Sequence, residues 1–388
     1  IDYAAELERL TRDGQSTDPN ATNGWSALVG IGEDVDRIRR EIERREFDAD
    51  EALKRAGRES EAEPWTYDIF GGRTCEERTE RDRRLIEEFW ERLADARILE
   101  RVADLREFEV FIAPVDDRLA EQLRAGFGGS VPSQPDKVAP LRRLSMALDA
   151  DLVRAMEAGD WERALARVDD ALFVGRVLRF QADTVRWLTG RAFTQVALRT
   201  VHDAVLSGWD VPEWFLREMM ARMEWLEPAS IDRIAEAEAL STKESIEATA
   251  EFMHQSGMTI AQWLLNRGVT VERARAIVDE KHAELALIKT LDIRELEDAE
   301  RAMSNSSGRS GFHGLALGSM TSPAHMLKHV RQDEMHNDVT RIMVSLALFA
   351  AEHGAPPPTL EELVPEYLPT LPEDPFGSGG TFRYIAGP

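Results

Sequence analysis

Apolar residues recur along most of this chain at three- and four-residue steps, the spacing that lines one face of an α-helix. Leu28, Ile31, Val35, Ile38 and Ile42 form such a stripe and predict a helix from Trp25 to Arg45, after a short amphipathic stretch from Asp2 to Leu10. A second helical block from Thr74 to Arg124 carries Leu85, Phe89, Leu93, Ile98, Val102 and Leu105 on its apolar face and is divided by Pro114, which has no N–H to donate within a helix. From Val138 the pattern becomes a succession of helices joined by short turns: Val138 to Ala158, Trp161 to Phe180, Thr184 to Ser207, Pro212 to Trp225 and Ser230 to His254. Ile260 to Asn266 and Val271 to Met303 continue it.

Turn formers separate these stretches. Thr11 to Asn23, with Gly14 and Pro19, reads as a loop, and Glu59 to Arg73, with Pro64, Trp65, Tyr67 and Phe70, as an aromatic break laid on a neighbouring surface. Gly126 to Pro135 is the clearest linker, and the glycine- and serine-rich Ser304 to Met320 is a long excursion. These breaks divide the chain into an N-terminal helical region (1–125), a helix-pair array (136–303), a flexible loop (304–321) and a closing unit (322–388).

The closing unit opens with a helix whose ends are written locally. Ser322 suits the N-cap, Pro323 the first helical position and Gly354 a left-handed stop. Continuous, that helix is about 48 Å long. Beyond it Leu360, Leu363, Val364, Tyr367 and Leu368 make an apolar face, and Phe376, Phe382 and Tyr384 are placed to fold back over the helix as a cap. The predicted fold class is therefore mainly α: an irregular antiparallel helix-pair, solenoid-like array with a small α+β C-terminal cap.

Charge narrows the partners. The chain has 72 acidic against 48 basic residues, a net charge of -24. That repels phosphate backbones and anionic lipid, so nucleic acid is not an expected partner; the charge reads first as a solvated surface tuned for salt or solubility, and second as a match for a basic partner or divalent cations. The single Cys75 excludes an intrachain disulfide, and Glu76 and Glu77 beside it disfavour a nucleophilic thiolate. The longest apolar run, Ile342 to Ala351, is shorter than the roughly 20 residues that span a bilayer. The start at Ile1 leads to the expectation of an upstream piece, a signal peptide or an anchor.

The strongest ligand-like cluster lies on the closing helix, where His325, His329, Asp333 and His336 fall near one face. Two histidines at i and i+4 can share a metal ion, and a carboxylate one turn on could supply a third ligand. His325-Met326-Leu327-Lys328-His329 lacks the glutamate that acts as base in zinc proteases, so the competing reading is a polar helix face. Acid pairs such as Glu236 with Glu238 and Glu244 with Glu247 sit on glutamate-rich helices and carry little information. Neither Asp279-Glu280-Lys281-His282 nor Asp333-Glu334-Met335-His336 gives the Glu-x-x-His step of a di-iron bundle. No phosphate loop, dinucleotide fingerprint or nucleophile elbow occurs. Trp187, Trp209, Trp214 and Trp225 are read as packing residues.

Two stretches resemble known families. Ala158-Gly159-Asp160-Trp161-Glu162, followed by Ala164, Ala171 and Leu172, resembles the turn and second helix of a tetratricopeptide repeat, although no 34-residue period is sustained. At residues 340–388 a helix leads through a proline turn and a small helix to Leu371-Pro372-Glu373-Asp374-Pro375-Phe376-Gly377 and Phe382-Arg383-Tyr384. This order resembles the C-terminal half of type II secretion major pseudopilins, with Leu371, Pro372, Asp374, Pro375, Phe376 and Gly377 as the structural motif. The resemblance implies a closing strand and an envelope location. Ser378-Gly379-Gly380 offers no carboxylate for the calcium loop of that family, and the preceding helix is internal and opens on polar residues. The whole layout, with its opening Asp-Tyr-Ala-Ala-x-Leu, is similar to large exported helical proteins of planctomycete-type bacteria, which implies a location and no activity.

The expectation is a non-enzymatic scaffold or protein-interaction subunit of the cell envelope, periplasmic or otherwise exported. It would have protein partners, no cofactor, and membrane anchoring through a segment before Ile1. The second reading is a metal-dependent enzyme that uses a divalent ion on the 322–353 helix. The third is an accessory subunit of a larger membrane-associated complex.

Overall fold

The computed structural model describes residues 3–13, 20–56, 79–113, 135–181, 184–224, 231–255, 271–288, 295–298, 323–374 and 380–385, with a few single positions between them. It is mainly helical: α1 (Tyr3–Asp13), α2 (Trp25–Arg55), α3 (Glu80–Asp95), α4 (Ile98–Asp104), α5 (Pro135–Glu157), α6 (Trp161–Arg179), α7 (Thr184–Leu206), α8 (Glu213–Glu224), α9 (Ile231–Gln255), α10 (Val271–Ile288) and α11 (Pro323–His353). Among the described residues β-structure is limited to two isolated bridges, Asn23 with Val110 and Glu373 with Thr381.

The predicted helices from Val138 to His254 are matched to within three residues at each end, because their caps and stripes are local. Asp160 accepts from the Arg163 N–H at 3.1 Å to start α6, and Pro323 is the first residue of α11. Gly354 takes φ +78, the left-handed stop expected of it. Three helix bounds differ from expectation. The stretch expected to be helical from Val271 to Met303 leaves the helix after Ile288, and Leu291 is not helical. Helix α2 runs ten residues past Arg45, into a stretch where Phe47 is exposed. There the apolar stripe is replaced by ion pairs to α3, Arg81 with Glu46 and Asp50 at 2.9 Å each and Arg45 with Glu88 at 2.6 Å. The second block leaves the helix well before Pro114, and residues 114–124 lie outside the described residues. After a 3-10 turn over Leu105–Glu107 the chain is extended through Ala113, and Val110, Phe111, Ile112 and Ala113 are all buried.

Among the described residues that segment joins no sheet: Val110 bonds the backbone of Thr22 and Gly24, and amide side chains from elsewhere serve the residues after it. Gln15 donates to the Phe111 carbonyl at 2.9 Å and accepts from its N–H at 2.6 Å. Asn23 does the same for Ile112 at 3.0 Å each way. Gln181, buried at the end of α6, donates to the Phe111 carbonyl at 2.5 Å and accepts from the Ala113 N–H at 3.1 Å. The N–H groups from Val110 to Ala113 and the carbonyls from Val110 to Ile112 thus find the partners that burial requires.

The largest core cluster draws on helices from both sides of the 126–135 linker: Leu28, Ile31 and Val35 of α2, Phe89 of α3, Leu141 and Leu148 of α5, Val174 of α6, Phe193 of α7, Phe215 of α8 and Val344 of α11. Helices α6 and α7 approach most closely at Gly175 and Gly190. A Cβ on Gly190 would lie 2.5 Å from the Gly175 carbonyl oxygen, so no larger residue fits. Charges also cross this core. Asp170 binds Arg106 (2.7 Å) and Arg167 (2.9 Å), while fully buried Asp151 binds Arg163, tying the 3-10 turn after α4 to α6 and α6 to α5.

Helix α11 closes the array by packing on different partners along its length. Its first half lies parallel to α7: Thr184 meets Met326, Arg191 meets Asp333 and Gln195 meets Asn337, always 142 residues apart. A constant separation means that the two helices run in the same direction and in register. Its second half runs antiparallel to α8, with Arg217 bound to Glu352 and Arg341 donating to the Met223 carbonyl at 2.5 Å. The tail covers this half through Leu360, Leu363 and Leu368, which pack with Ile342, Phe349, Phe382 and Tyr384.

Candidate functional site

The polar face of α11 meets α7 at one seam. Ala324, Met326, Leu327 and Val330 enter a second core cluster with Trp187 of α7 and Ile231 and Ile234 of α9. This anchors the helix and leaves His325 and His329, one turn apart, half-buried beside them. Their Nε2 atoms are 3.0 Å apart and the rings meet edge to face. His329 Nδ1 donates to Gln332 Oε1 at 3.1 Å, which leaves a lone pair on its Nε2 to accept from the Nε2–H of His325. Burial, then the charges of Arg191 and His325, holds His329 below the ordinary imidazole value.

Asp333 goes elsewhere. It is buried and accepts from Arg191 Nε of α7 at 2.6 Å. Burial raises its carboxyl from the ordinary 3.8 to about 6, against the opposing pull of Arg191. The desolvation cost therefore outweighs the ion pair. His336 is exposed, and partial loss of solvent, then Arg191, Arg199 and His202, lowers its imidazole. Of the four residues expected to share one ion, the structure brings together His325 and His329 and draws Asp333 to an arginine. Among the described residues no group of three or more His, Cys, Asp or Glu side chains is placed to hold a metal.

The tail motif is partly described. Leu371 packs in the cluster over α11, and the Asp374 N–H donates to the Gly380 carbonyl at 2.8 Å, beside the Glu373 to Thr381 bridge. Pro375, Phe376 and Gly377 lie outside the described residues, as do Ser322, Cys75 and Trp225.

A second feature was missed by sequence reasoning. Trp209 and Trp214, expected to pack, are 37% and 43% exposed, and Leu206 beside them is 59% exposed. All three lie in or beside the short connection from α7 to α8, fringed by exposed Asp203, Asp210 and Glu213. Trp214 touches Phe215 edge to face, and Phe215 touches Trp161 at the start of α6, so the corner is mounted on the core. The available signal was two tryptophans flanking Asp210-Val211-Pro212 in a turn too short to fold over them. No helix among the described residues is long and apolar enough to cross a membrane. No family model matches the chain, and neither a curated protein nor a solved structure does so.

Proposed function

We propose that the protein is a non-enzymatic scaffold, a protein-interaction subunit of the cell envelope, built as a solenoid-like helix-pair array with a small α+β cap on its last helix. The exposed corner of Leu206, Trp209 and Trp214 carries this reading. Tryptophan is the side chain most enriched at interaction hot spots, and a rigid turn presents it with little ordering cost. Exposed Asp203, Asp210 and Glu213 around it select a partner segment in which apolar side chains are flanked by lysine or arginine. The buried carboxylates support the same reading, since Asp151, Asp170 and Asp333 are each held by arginines between helices. The order of features in the tail, similar to that of the major pseudopilins, is the argument for the envelope.

The test is recovery of a partner in mild detergent, followed by binding of that purified partner to wild type and to Trp209→Ser/Trp214→Ser. Binding that weakens at least tenfold in the variant, and falls with added salt, is expected. Binding unchanged in the variant sinks the corner as the interface, and a turnover abolished by His329→Ala overturns the non-enzymatic reading altogether.

A further inference from the structure

The geometry points to a two-histidine binding site for a divalent transition-metal ion on α11, formed by His325 and His329 at its seam with α7. Two imidazole nitrogens at about 2.0–2.1 Å from a tetrahedral ion lie about 3.3–3.4 Å apart. The Nε2 atoms stand at 3.0 Å and the ring centroids at 4.4 Å, so an ion enters once the two rings swing apart by a little under an ångström and turn both Nε2 lone pairs toward it. His329 is further prepared by Gln332, whose Oε1 accepts from Nδ1 and keeps the Nε2 lone pair free of its own proton. A carbonyl oxygen on the far ring nitrogen is the usual support of a ligating histidine. For binding, His325 gives up its Nε2 proton and takes one on Nδ1, a tautomer change with no net proton release.

The helix is held in place around the pair. Met326 and Leu327 are buried to one side, and Arg191 and Asp333 join α7 to α11 one turn beyond. Lys328 and Arg191 are the nearby cations; Lys328 is engaged by Glu297 at 3.3 Å and Arg191 by Asp333 at 2.6 Å, which moderates their repulsion. Two imidazoles with water in the remaining positions favour Zn2+, Ni2+ or Cu2+ over Mg2+ or Ca2+. The structural consequence is a clip along one turn of α11, independent of the partner surface at the α7 to α8 corner.

The experiment is titration of the chelator-stripped full chain with Zn2+ in a weakly competing buffer. One equivalent is expected, lost in His325→Ala and in His329→Ala and retained in His336→Ala and His353→Ala. Gln332→Ala should weaken it roughly tenfold to a hundredfold, the range found for such supporting groups. Histidine nitrogen NMR of the wild type gives a readout that needs no variant: two imidazoles shift together, each ligated through Nε2. No equivalent, an equivalent that survives His325→Ala/His329→Ala, or shifts spread over other histidines would mean adventitious surface binding only and overturn the site.

Discussion

The extended segment at Val110 to Ala113 and the seam between α7 and α11 are both buried polar joints, and they solve the burial problem in opposite ways. Around the segment, neutral amides of Gln15, Asn23 and Gln181 meet neutral peptide groups, and no ion is desolvated. At the seam, Asp333 and Arg191 are charged partners held out of water, with His325 and His329 beside them. The first joint is indifferent to pH. The second has a carboxyl raised to about 6 and an imidazole lowered, so protons enter its energetics. The comparison separates polar groups that specify a path from those that also respond to the solution.

The sharpest way to break the contrast is Gln181→Ala. It strands the Ala113 N–H and removes one donor to the Phe111 carbonyl, so urea unfolding should lose about 2–4 kcal/mol, equally at pH 5 and pH 8. A loss that varies with pH would place titrating groups at this joint. Next is Arg191→Met, which leaves Asp333 facing an apolar neighbour. The expected loss is about 2–3 kcal/mol at pH 8, below the range for a fully buried pair because Arg191 keeps some solvent, and it should shrink at pH 5 as Asp333 takes a proton.

Asp333→Asn tests the sign of the pH term. A carboxyl raised from 3.8 to about 6 binds more protons folded than unfolded, so its stabilisation is present below pH 3.8 and is lost as pH rises through about 6. Against wild type in the presence of chelator, the variant should therefore gain on the order of 1–3 kcal/mol between pH 4 and pH 7, on top of a constant offset for the lost partner. His329 acts with the opposite sign. Its lowered imidazole contributes stability above the ordinary 6.5 that is lost as pH falls through its folded value, so His329→Gln should flatten the acid side of the profile. The smallest expected effect on stability is that of Trp209→Ser/Trp214→Ser, within about 0.5 kcal/mol for side chains left in solvent. A large loss there would convert the corner from a docking surface into a packing element.

Much of the helical layout was legible along the chain, and the reason differs from place to place. Trp161, Asp160 and Gly159 mark the joint of α5 and α6 through a cap and a turn that involve neighbours only. The extension of α2 beyond Arg45 was hidden because its anchors, Arg81 and Glu88, are supplied by another helix. The candidate site was half legible. Helical spacing alone places His325 and His329 one turn apart, but it could not divide Asp333 from them, since Arg191 lies 142 residues away. The exposure of Trp209 and Trp214 had only the shortness of the turn around Asp210-Val211-Pro212 as its signal, since an aromatic residue in a turn is buried or presented according to what passes over it.

By itself, then, the sequence determined where the helices from 135 to 255 and α11 start and stop, because periodic apolar faces, capping side chains and Gly354 act over distances of one turn. Tertiary structure alone decided that Val110 to Ala113 is extended, that α11 runs parallel to α7, and that Asp333 pairs with an arginine. Each of these depends on groups brought together from 68 to 142 residues away. At that range propensity has no influence, and the choice falls to which buried polar groups can be satisfied at once.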